Sequence, residues 1–281
     1  MNRRGISLLL CLALIFTIAA PAAAEEEQDI SMEVLEVEDA DWIFPVALED
    51  LNPEYLVLAN KHYLLDKDYV CKPLVKMAAL KLNKDGTRKS GHILMAVSSK
   101  MQLNEVCAEA LTALSEGARA DGYKLYLKSA YRSWQTQNTM YKNRLKKNKG
   151  KDDGWVSMAG ASDHQTGLGC DVIPRSWIKA SGMNSKMASE PECIWMEEHC
   201  AEYGFIIRYP KDKEEVTEIH YEPWHLRYVG IPAAAYIMGN GLCLEEFTEQ
   251  LQAAIEFYLA GGGDPAKAEK LIQVPTEEAE S

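Results

Sequence analysis

Two short stretches of the chain carry residues that suit a catalytic zinc site. The first reads SDHQTGLGCD and contains His164 and Asp171, and the second reads EPWH and contains Glu222 and His225. Catalytic zinc usually takes three His or carboxylate ligands and leaves its fourth position to water, whose proton a free carboxylate removes. Two histidines and two carboxylates supply three ligands and one free carboxylate. The pattern therefore predicts a zinc hydrolase.

The stretch over residues 168–173 is predicted to form a short strand. Side chains alternate along a strand, so its apolar positions face the core while Asp171 faces a cleft. Gly167 and Gly169 allow the backbone to turn tightly before it. We therefore expect Asp171 and the preceding His164 to converge on one ion.

The stretch over residues 224–229 is predicted to form a second strand, with His225 and Arg227 on one face. Pro223 has no amide donor and indicates a strand edge or a bulge, where the chain can re-aim the preceding side chain. Glu222 would then reach the same side as His225. A single histidine on such a strand is usually a core or surface residue, but two histidines with an Asp and a Glu favour a metal site.

The rest of the pattern predicts an α+β fold, because strands and helices follow one another without the regular alternation of βαβ units. Further strands are predicted over residues 55–60 and over 124–128, the second of them half-buried, and a loop is predicted over 61–68. Helices are predicted over residues 105–120, with Asn104 as the cap, and over 134–146 and 194–203.

Three motifs together resemble the VanY-type zinc D-alanyl-D-alanine carboxypeptidases: YRSxxxQ at residues 131–137, SxH followed by Asp at 162–171, and EPWH at 222–225. Weaker similarity runs from LANK at 58–61 through GFIIRYP at 204–210. The resemblance implies a Hedgehog/D,D-peptidase-type fold, in which helices flank an antiparallel β-sheet.

The same resemblance implies a role for each matching residue and a substrate. The substrate would be a peptidoglycan stem peptide, from which the enzyme removes the C-terminal D-alanine. The resemblance makes His164, Asp171 and His225 the ligands of Zn²⁺, Glu222 the general base, Arg132 the anion-binding residue, and Ser162 and Gln137 substrate-binding residues.

Other interpretations of these residues stay open at this point. An L,D-carboxypeptidase or a D,D-dipeptidase would keep every residue named above and differ in pocket shape. A non-catalytic wall-binding module would keep the fold but should have lost Glu222 or a ligand. A cysteine-dependent wall hydrolase would use Cys170 with His164, but strand alternation turns Cys170 into the core.

The beginning of the chain reads as a secretory signal. Arg3 and Arg4 precede an apolar run that is short for a membrane span of about 20 residues, and small residues end at Ala24. We expect cleavage there rather than retention as an anchor, and hence a secreted protein of the cell envelope without stable membrane association. The predicted divisions are a signal peptide (1–24), an acidic flexible leader (25–45), the zinc D,D-carboxypeptidase domain (46–246), and an amphipathic helix and tail (247–281).

The charge balance makes nucleic acid an improbable partner. The net charge is −12, and removal of Arg3 and Arg4, with no acidic residue lost, makes it −14. The basic run at 142–151 could attract an anionic polymer, but such runs are usually solvated surface. At the end of the chain, Phe247 begins an apolar repeat of a packing helix, whose glutamates make it a poor membrane anchor.

Cysteines and the remaining histidines give weaker signals. Six of the seven cysteines follow residue 24, so up to three disulfides or a set of buried free thiols are both compatible with the sequence. His220 lies near the EPWH motif and is a candidate substrate or ligand-supporting contact. His62, His92 and His199 show no partner pattern and are expected at the surface.

Overall fold

The part of the chain that the computed structural model describes comprises residues 41–69, 72–77, 84, 95–96 and 100–276. The predicted signal peptide and the acidic leader up to residue 40 lie outside these residues, as do Cys71 and His92. Among the residues described, no helix is both long and apolar enough to pass through a bilayer.

A five-stranded sheet organises the described residues, and a separate two-stranded sheet lies beside it. The strands are β1 (Leu74–Lys76), β2 (Met95–Ala96), β3 (Gln102–Asn104), β4 (Leu125–Ser129), β5 (Gly169–Pro174), β6 (Phe205–Ile207) and β7 (His225–Tyr228). The large sheet has the order β2-β4-β5-β7-β6, and β1 pairs with β3. All pairs are antiparallel except β2 with β4. The predicted α+β fold with an antiparallel sheet is confirmed, with one parallel pair at its edge.

Helices flank this sheet. They are α1 (Glu105–Ala120), α2 (Trp134–Lys147), α3 (Pro191–His199), α4 (Glu214–Thr217), α5 (Ile231–Gly239), α6 (Leu244–Ala260) and α7 (Pro265–Ala268), with 3₁₀ turns at Leu48–Asp50, Asp163–Thr166, Arg175–Trp177, Ser185–Ser189, Cys200–Tyr203, Lys211–Lys213 and Glu269–Leu271. The side chain of Asn104 accepts from Val106 N at 3.0 Å, which confirms the predicted cap of α1. The third predicted helix begins earlier, at Pro191, because proline suits the first turn of a helix.

Two apolar clusters bury the sheet. One contains side chains of α1 and α3 against β4 and β5. The other joins α5 and α6 to Ile206 of β6 and to residues of the segment 44–58. The repeat that begins at Phe247 lies in α6, and Phe247 itself is fully buried, so this helix packs into the core as predicted.

The half-buried alternation predicted for residues 124–128 is wrong. Leu125, Tyr126 and Leu127 are buried in succession, and so is every residue of β5. Since both faces of these strands are covered, the alternation of side chains does not decide whether they meet solvent.

The strand predicted over residues 55–60 is also wrong, because side chains rather than a neighbouring strand take up its backbone groups. Arg227 Nη2 donates to Tyr55 O and Val57 O at 2.9 and 2.7 Å. Gln273 Nε2 donates to Leu56 O at 2.9 Å, and Leu58 N donates to Gln273 Oε1 at 2.6 Å. These bonds tie the segment to β7 and to the end of the described chain.

A buried ionic network lies between this segment and the sheet. Asp163 contacts Arg227 Nη1 at 2.5 Å and Arg208 Nε at 2.7 Å, and all three side chains are fully buried. Glu245 of α6 pairs with Arg208 through two hydrogen bonds of 2.6 and 2.8 Å. Burial by itself would raise the pKa of Asp163, but the guanidinium groups of Arg227 and Arg208 outweigh it and lower that pKa. Two cations and two anions thus leave the network without net charge.

We expect Arg227→Met to lower the free energy of unfolding by about 3–5 kcal/mol, because it leaves a buried charge and two backbone carbonyls without their partner. Denaturant unfolding of the full chain measures the loss. Arg175→Met is the matched control, since Arg175 is exposed on a 3₁₀ turn, and should change stability by less than about 0.5 kcal/mol. Equal losses for the two variants would contradict the stabilising role of the network.

Candidate active site

The pairing of β5 with β7 places two of the predicted ligands directly opposite each other. Asp171 is the register partner of His225 on one side and of Ser129 in β4 on the other. Directly opposed side chains in an antiparallel pair lie about 4.5–5.5 Å apart at Cβ. A register irregularity between Leu127 and Ser129 in β4 turns the chain at the same level, immediately before the segment that carries Arg132.

His164 reaches the same point from the 3₁₀ turn that precedes β5. This turn ends at Gly167, whose φ of 73° is left-handed and whose missing Cβ would lie 2.9 Å from a methyl of Leu74. At Gly169 a Cβ would lie 3.0 Å from the carbonyl carbon of Asp163. Both glycines are therefore required for the close turn that brings His164 back over Asp171, as the sequence predicts.

The donor atoms of His164, Asp171 and His225 converge within 4.8 Å of one another, and all three residues are buried. Asp171 Oδ2 lies 3.5 Å from His164 Nε2, and Asp171 Oδ1 lies 3.1 Å from His225 Nδ1. His164 Nδ1 is 2.7 Å from Ala130 O, and because a carbonyl only accepts, this nitrogen carries the proton of the neutral ring. His164 Nε2 then presents a lone pair to a carboxylate, an arrangement that suits a shared cation.

The electrostatics favour the ligand forms of His164 and Asp171. Burial, and then the nearby Arg132, lower the pKa of His164 to about 4, which keeps its ring neutral. Burial alone would raise the pKa of Asp171, but His164 and His225 outweigh it and hold that pKa well below its usual range. A ring nitrogen from each histidine and one carboxylate form a donor set that fits Zn²⁺.

Glu222 lies beside this cluster, at 3.5 Å from its Oε2 to His225 Nδ1. The prediction that Pro223 lies at a strand edge or a bulge is wrong, because β7 is an interior strand of the sheet. Pro223 lies instead in a turn, in which His225 N donates to Glu222 O at 3.1 Å. The turn brings Glu222 to the side of His225, so the expected placement holds for a different reason. Burial, and then the carboxylate of Asp171, raise the pKa of Glu222 well above its usual range, against the effect of Arg132. A cation at the cluster would counter both effects and favour the carboxylate.

Arg132 supplies a guanidinium to the same pocket. Its backbone N donates to His164 O at 3.1 Å, which ties it to the turn that carries the predicted ligand. Burial lowers its pKa, while Asp171 and Glu222 oppose that effect. Its Nε is buried without a hydrogen-bond partner among the described residues, and Nη1 contacts only the sulfur of Met140, at 3.8 Å. This guanidinium is therefore free to bind an anion.

Ser162 and Gln137 line the pocket with Arg132. Gln137 Nε2 donates to Ser157 O at 2.6 Å, and its Oε1 is buried with no partner among the described residues. The side chain of Ser162 makes no capping bond to the turn that follows it. Both side chains keep hydrogen-bonding capacity for a ligand.

The pocket that these residues share has a volume of about 360 Å³. Its walls also contain Trp155, Tyr209 and Arg144, none of which is among the site residues predicted from the sequence. Tyr209 packs against His225 at a ring separation of 5.0 Å and belongs to the GFIIRYP stretch, whose resemblance to the family was the available signal. Trp155 and Arg144 belong to none of the motifs that carry the resemblance.

The other cysteines and histidines that the structure describes lie outside the pocket lining. Each of the five cysteines that the structure describes is a buried free thiol: Cys107, Cys170, Cys193, Cys200 and Cys243. A hydrogen bond that the Cys170 thiol donates to Cys107, together with burial, raises the pKa of Cys170 well above its usual value, which opposes a thiolate nucleophile. His220 lies 3.1 Å from Glu214 and packs on Trp155, behind the pocket wall. His62 is exposed, and His199 is half-exposed.

Comparisons with known proteins agree on one family. The D-alanyl-D-alanine carboxypeptidase family VanY matches residues 100–231. The putative carboxypeptidase YodJ of Bacillus subtilis strain 168 is 36% identical over 206 residues, which cover 72% of this chain and 70% of YodJ. The solved structure of the LD-carboxypeptidase LdcB superimposes with a TM-score of 0.57 at 35% identity, over 70% of this chain and 87% of LdcB. A structure of the vancomycin resistance D,D-pentapeptidase VanY with Zn(II) gives a TM-score of 0.51 at 29% identity, over 69% of this chain and 98% of that VanY chain.

We expect the purified chain, reconstituted with zinc and freed of excess metal, to hold one zinc ion, and His225→Ala to hold less than about 0.2 per chain, because it removes one of three donors. Elemental analysis measures both. His199→Ala is the control, as His199 packs on Trp195 away from the cluster. Undiminished zinc in the His225 variant would show that this residue is not a ligand.

Proposed function

Because the chain belongs to the VanY family of D-alanyl-D-alanine carboxypeptidases, we propose that it is a secreted zinc metallopeptidase that removes the C-terminal D-alanine from peptidoglycan stem peptides. One observation carries the proposal: the donor atoms of His164, Asp171 and His225 converge beside Glu222 in a pocket that also contains an unsatisfied guanidinium. These are the parts that hydrolysis of a peptide with a free carboxyl end requires.

In this mechanism His164, Asp171 and His225 would hold zinc. Zinc, when bound, supplies a Lewis acid that polarises the scissile carbonyl and acidifies the attacking water. His164 is kept in the correct tautomer by its bond to Ala130 O, so its Nε2 lone pair is permanently directed at the cluster. The three donor groups already lie together, so little rearrangement of the protein is needed to bind the ion.

Glu222 is the acid and base of the reaction. Its carboxylate takes a proton from the attacking water and delivers it to the amine of the departing D-alanine. Its side chain is only 12% exposed and lies 3.5 Å from His225, so few solvent molecules compete for the proton. Its burial favours the protonated form that the second half of the reaction needs.

Arg132 binds the terminal carboxylate of the substrate. A planar guanidinium matches a carboxylate in a two-pronged pair, and the buried Nε of Arg132 has no other partner among the described residues. Ser162 and the free Oε1 of Gln137 then fix the peptide beside it. The same guanidinium stabilises negative charge that develops on the scissile oxygen.

Cleavage of an L,D bond is a second candidate activity, favoured by the 35% identity to the LD-carboxypeptidase LdcB. Both activities use the same residues. A non-catalytic wall-binding module is disfavoured, since Glu222 and the three proposed ligands are all present. Comparison of pentapeptide and tetrapeptide stems as substrates separates the two hydrolases: D,D cleavage shortens only the former.

Export and domain organisation belong to the same proposal. The predicted signal peptide at 1–24 and the acidic leader at 25–45 would place the catalytic domain of residues 46–246 in the cell envelope, where its polymeric substrate lies. The helix and tail of residues 247–281 would complete that domain, because Phe247, Leu251 and Ile255 are buried in the apolar cluster that also contains Ile206 of β6.

Glu222→Gln should lower kcat by about 10²- to 10⁴-fold, the usual contribution of a positioned acid and base, with zinc affinity nearly unchanged. Release of D-alanine and zinc content are measured on the same samples. Glu256→Gln, a change at an exposed position of α6, is the control and should alter neither. If Glu222→Gln also lost its zinc, Glu222 would be a ligand rather than the base.

A substrate ending in D-alanine amide should lose roughly 10- to 100-fold in kcat/KM relative to the free acid, because a charge-assisted hydrogen bond is worth about 1.5–3 kcal/mol. Arg132→Ala should remove most of this preference. If Arg132→Ala slowed acid and amide alike, Arg132 would serve the oxyanion alone, and equal cleavage of both by the unchanged protein would refute the carboxypeptidase assignment.

A further inference from the structure

A second guanidinium lines the pocket besides that of Arg132. Arg144 lies on α2 seven residues after Gln137, which at 1.5 Å per residue places it about 10 Å further along the helix axis. Gln137 is buried at the inner end of the pocket, whereas the side chain of Arg144 is 30% exposed. Arg144 therefore lies at the mouth of the pocket in which Arg132 lies deeper.

Asp153 fixes the orientation of this side chain. Arg144 Nε lies 3.0 Å from both oxygens of Asp153, and Arg144 Nη2 lies 2.6 Å from Oδ2. Arg144 Nη1 has no hydrogen-bond partner among the described residues. Since Arg144 lines the pocket and Asp153 does not, one edge of the guanidinium is held from behind while the other stays available.

The helix that carries Arg144 has a basic end and no acidic residue. Its sequence is WQTQNTMYKNRLKK, and its lysines, Lys142, Lys146 and Lys147, are exposed. Arg144 is the member of this basic run that lines the pocket. The run predicted to be plain solvated surface thus includes one residue directed at the candidate active site.

We propose that Arg144 binds a second carboxylate of the substrate, upstream of the scissile bond. This inference rests on the proposed function. An extended peptide spans about 3.3–3.6 Å per residue, so the 10 Å between Gln137 and Arg144 corresponds to about three residues. A stem peptide offers a carboxylate near that distance from its end either on a γ-linked D-glutamyl residue at the second position or on a diamino dicarboxylic acid at the third.

The ion pair of Arg144 and Asp153 could instead have a purely structural role. Residues 155–157 form part of the pocket wall. Helix α2 holds the segment 152–157 by three side-chain contacts: Gln137 to Ser157 O, Tyr141 to Asp152, and Arg144 to Asp153. Loss of the contact between Arg144 and Asp153 would loosen the wall and weaken the binding of all substrates equally. Recognition of a carboxylate instead predicts a loss that depends on the substrate.

The test uses the full zinc-loaded chain and four pentapeptides ending in D-Ala-D-Ala, which combine a free carboxylate or a carboxamide at the second position with the same choice at the third. We expect the unchanged protein to prefer a carboxylate at one position by about 3- to 10-fold in kcat/KM, chiefly through KM, and Arg144→Gln to abolish that preference. The position that shows the preference identifies the source of the carboxylate.

Two further variants separate recognition from mechanics. Lys142→Gln, an exposed change on the same helix, should keep the preference. Asp153→Asn weakens the tie to the wall but keeps the charge of Arg144, so it should keep the preference. Equal losses on all four peptides in Arg144→Gln, or no discrimination by the unchanged protein, would overturn the inference while leaving the proposed function intact. Failure of the unchanged protein to release D-alanine from any peptide would overturn the proposed function and, with it, this inference.

Discussion

The register between β5 and β7 is the constraint on which the candidate site depends. It sets Asp171 opposite His225, and the adjacent turns bring His164 and Glu222 to the same point from either strand. A slip of one residue would turn each of these side chains to the other face of the sheet. Because both faces are covered, such a slip would also place a carboxylate among the apolar side chains that now surround Cys170.

The fully buried carboxylate of Asp163 links the stability of the fold to the geometry of the site. Together with Glu245 it neutralises Arg208 and Arg227, and its Oδ2 lies 3.9 Å from Nε2 of His225, the ring nitrogen that faces away from Asp171. A buried charge that loses its partner is strongly destabilising. The network therefore ties the turn that carries His164 to β7, next to the proposed ligands.

Sequence alone was sufficient for the candidate cluster, because its members lie in two short motifs whose glycines and proline constrain the backbone. It was insufficient for Asp163, whose partner Arg227 lies 64 residues away and whose residue type is normally exposed. The strand predicted at 55–60 failed for a related reason, since Arg227 rather than another strand satisfies its carbonyls. Glu222 was placed on the correct side, although a turn and not a bulge puts it there. Contacts between distant segments decided the first two of these cases, and a local turn decided the third.

Zinc-dependent removal of a single terminal D-alanine by this pocket is tested most directly by mass spectrometry of a stem pentapeptide ending in D-Ala-D-Ala, after incubation with metal-free protein and with the same protein resupplied with zinc. No reaction is expected without metal, and conversion to the tetrapeptide and free D-alanine is expected with zinc. Equal conversion by the metal-free protein, or release of the D-Ala-D-Ala dipeptide instead of D-alanine, would contradict the proposed activity.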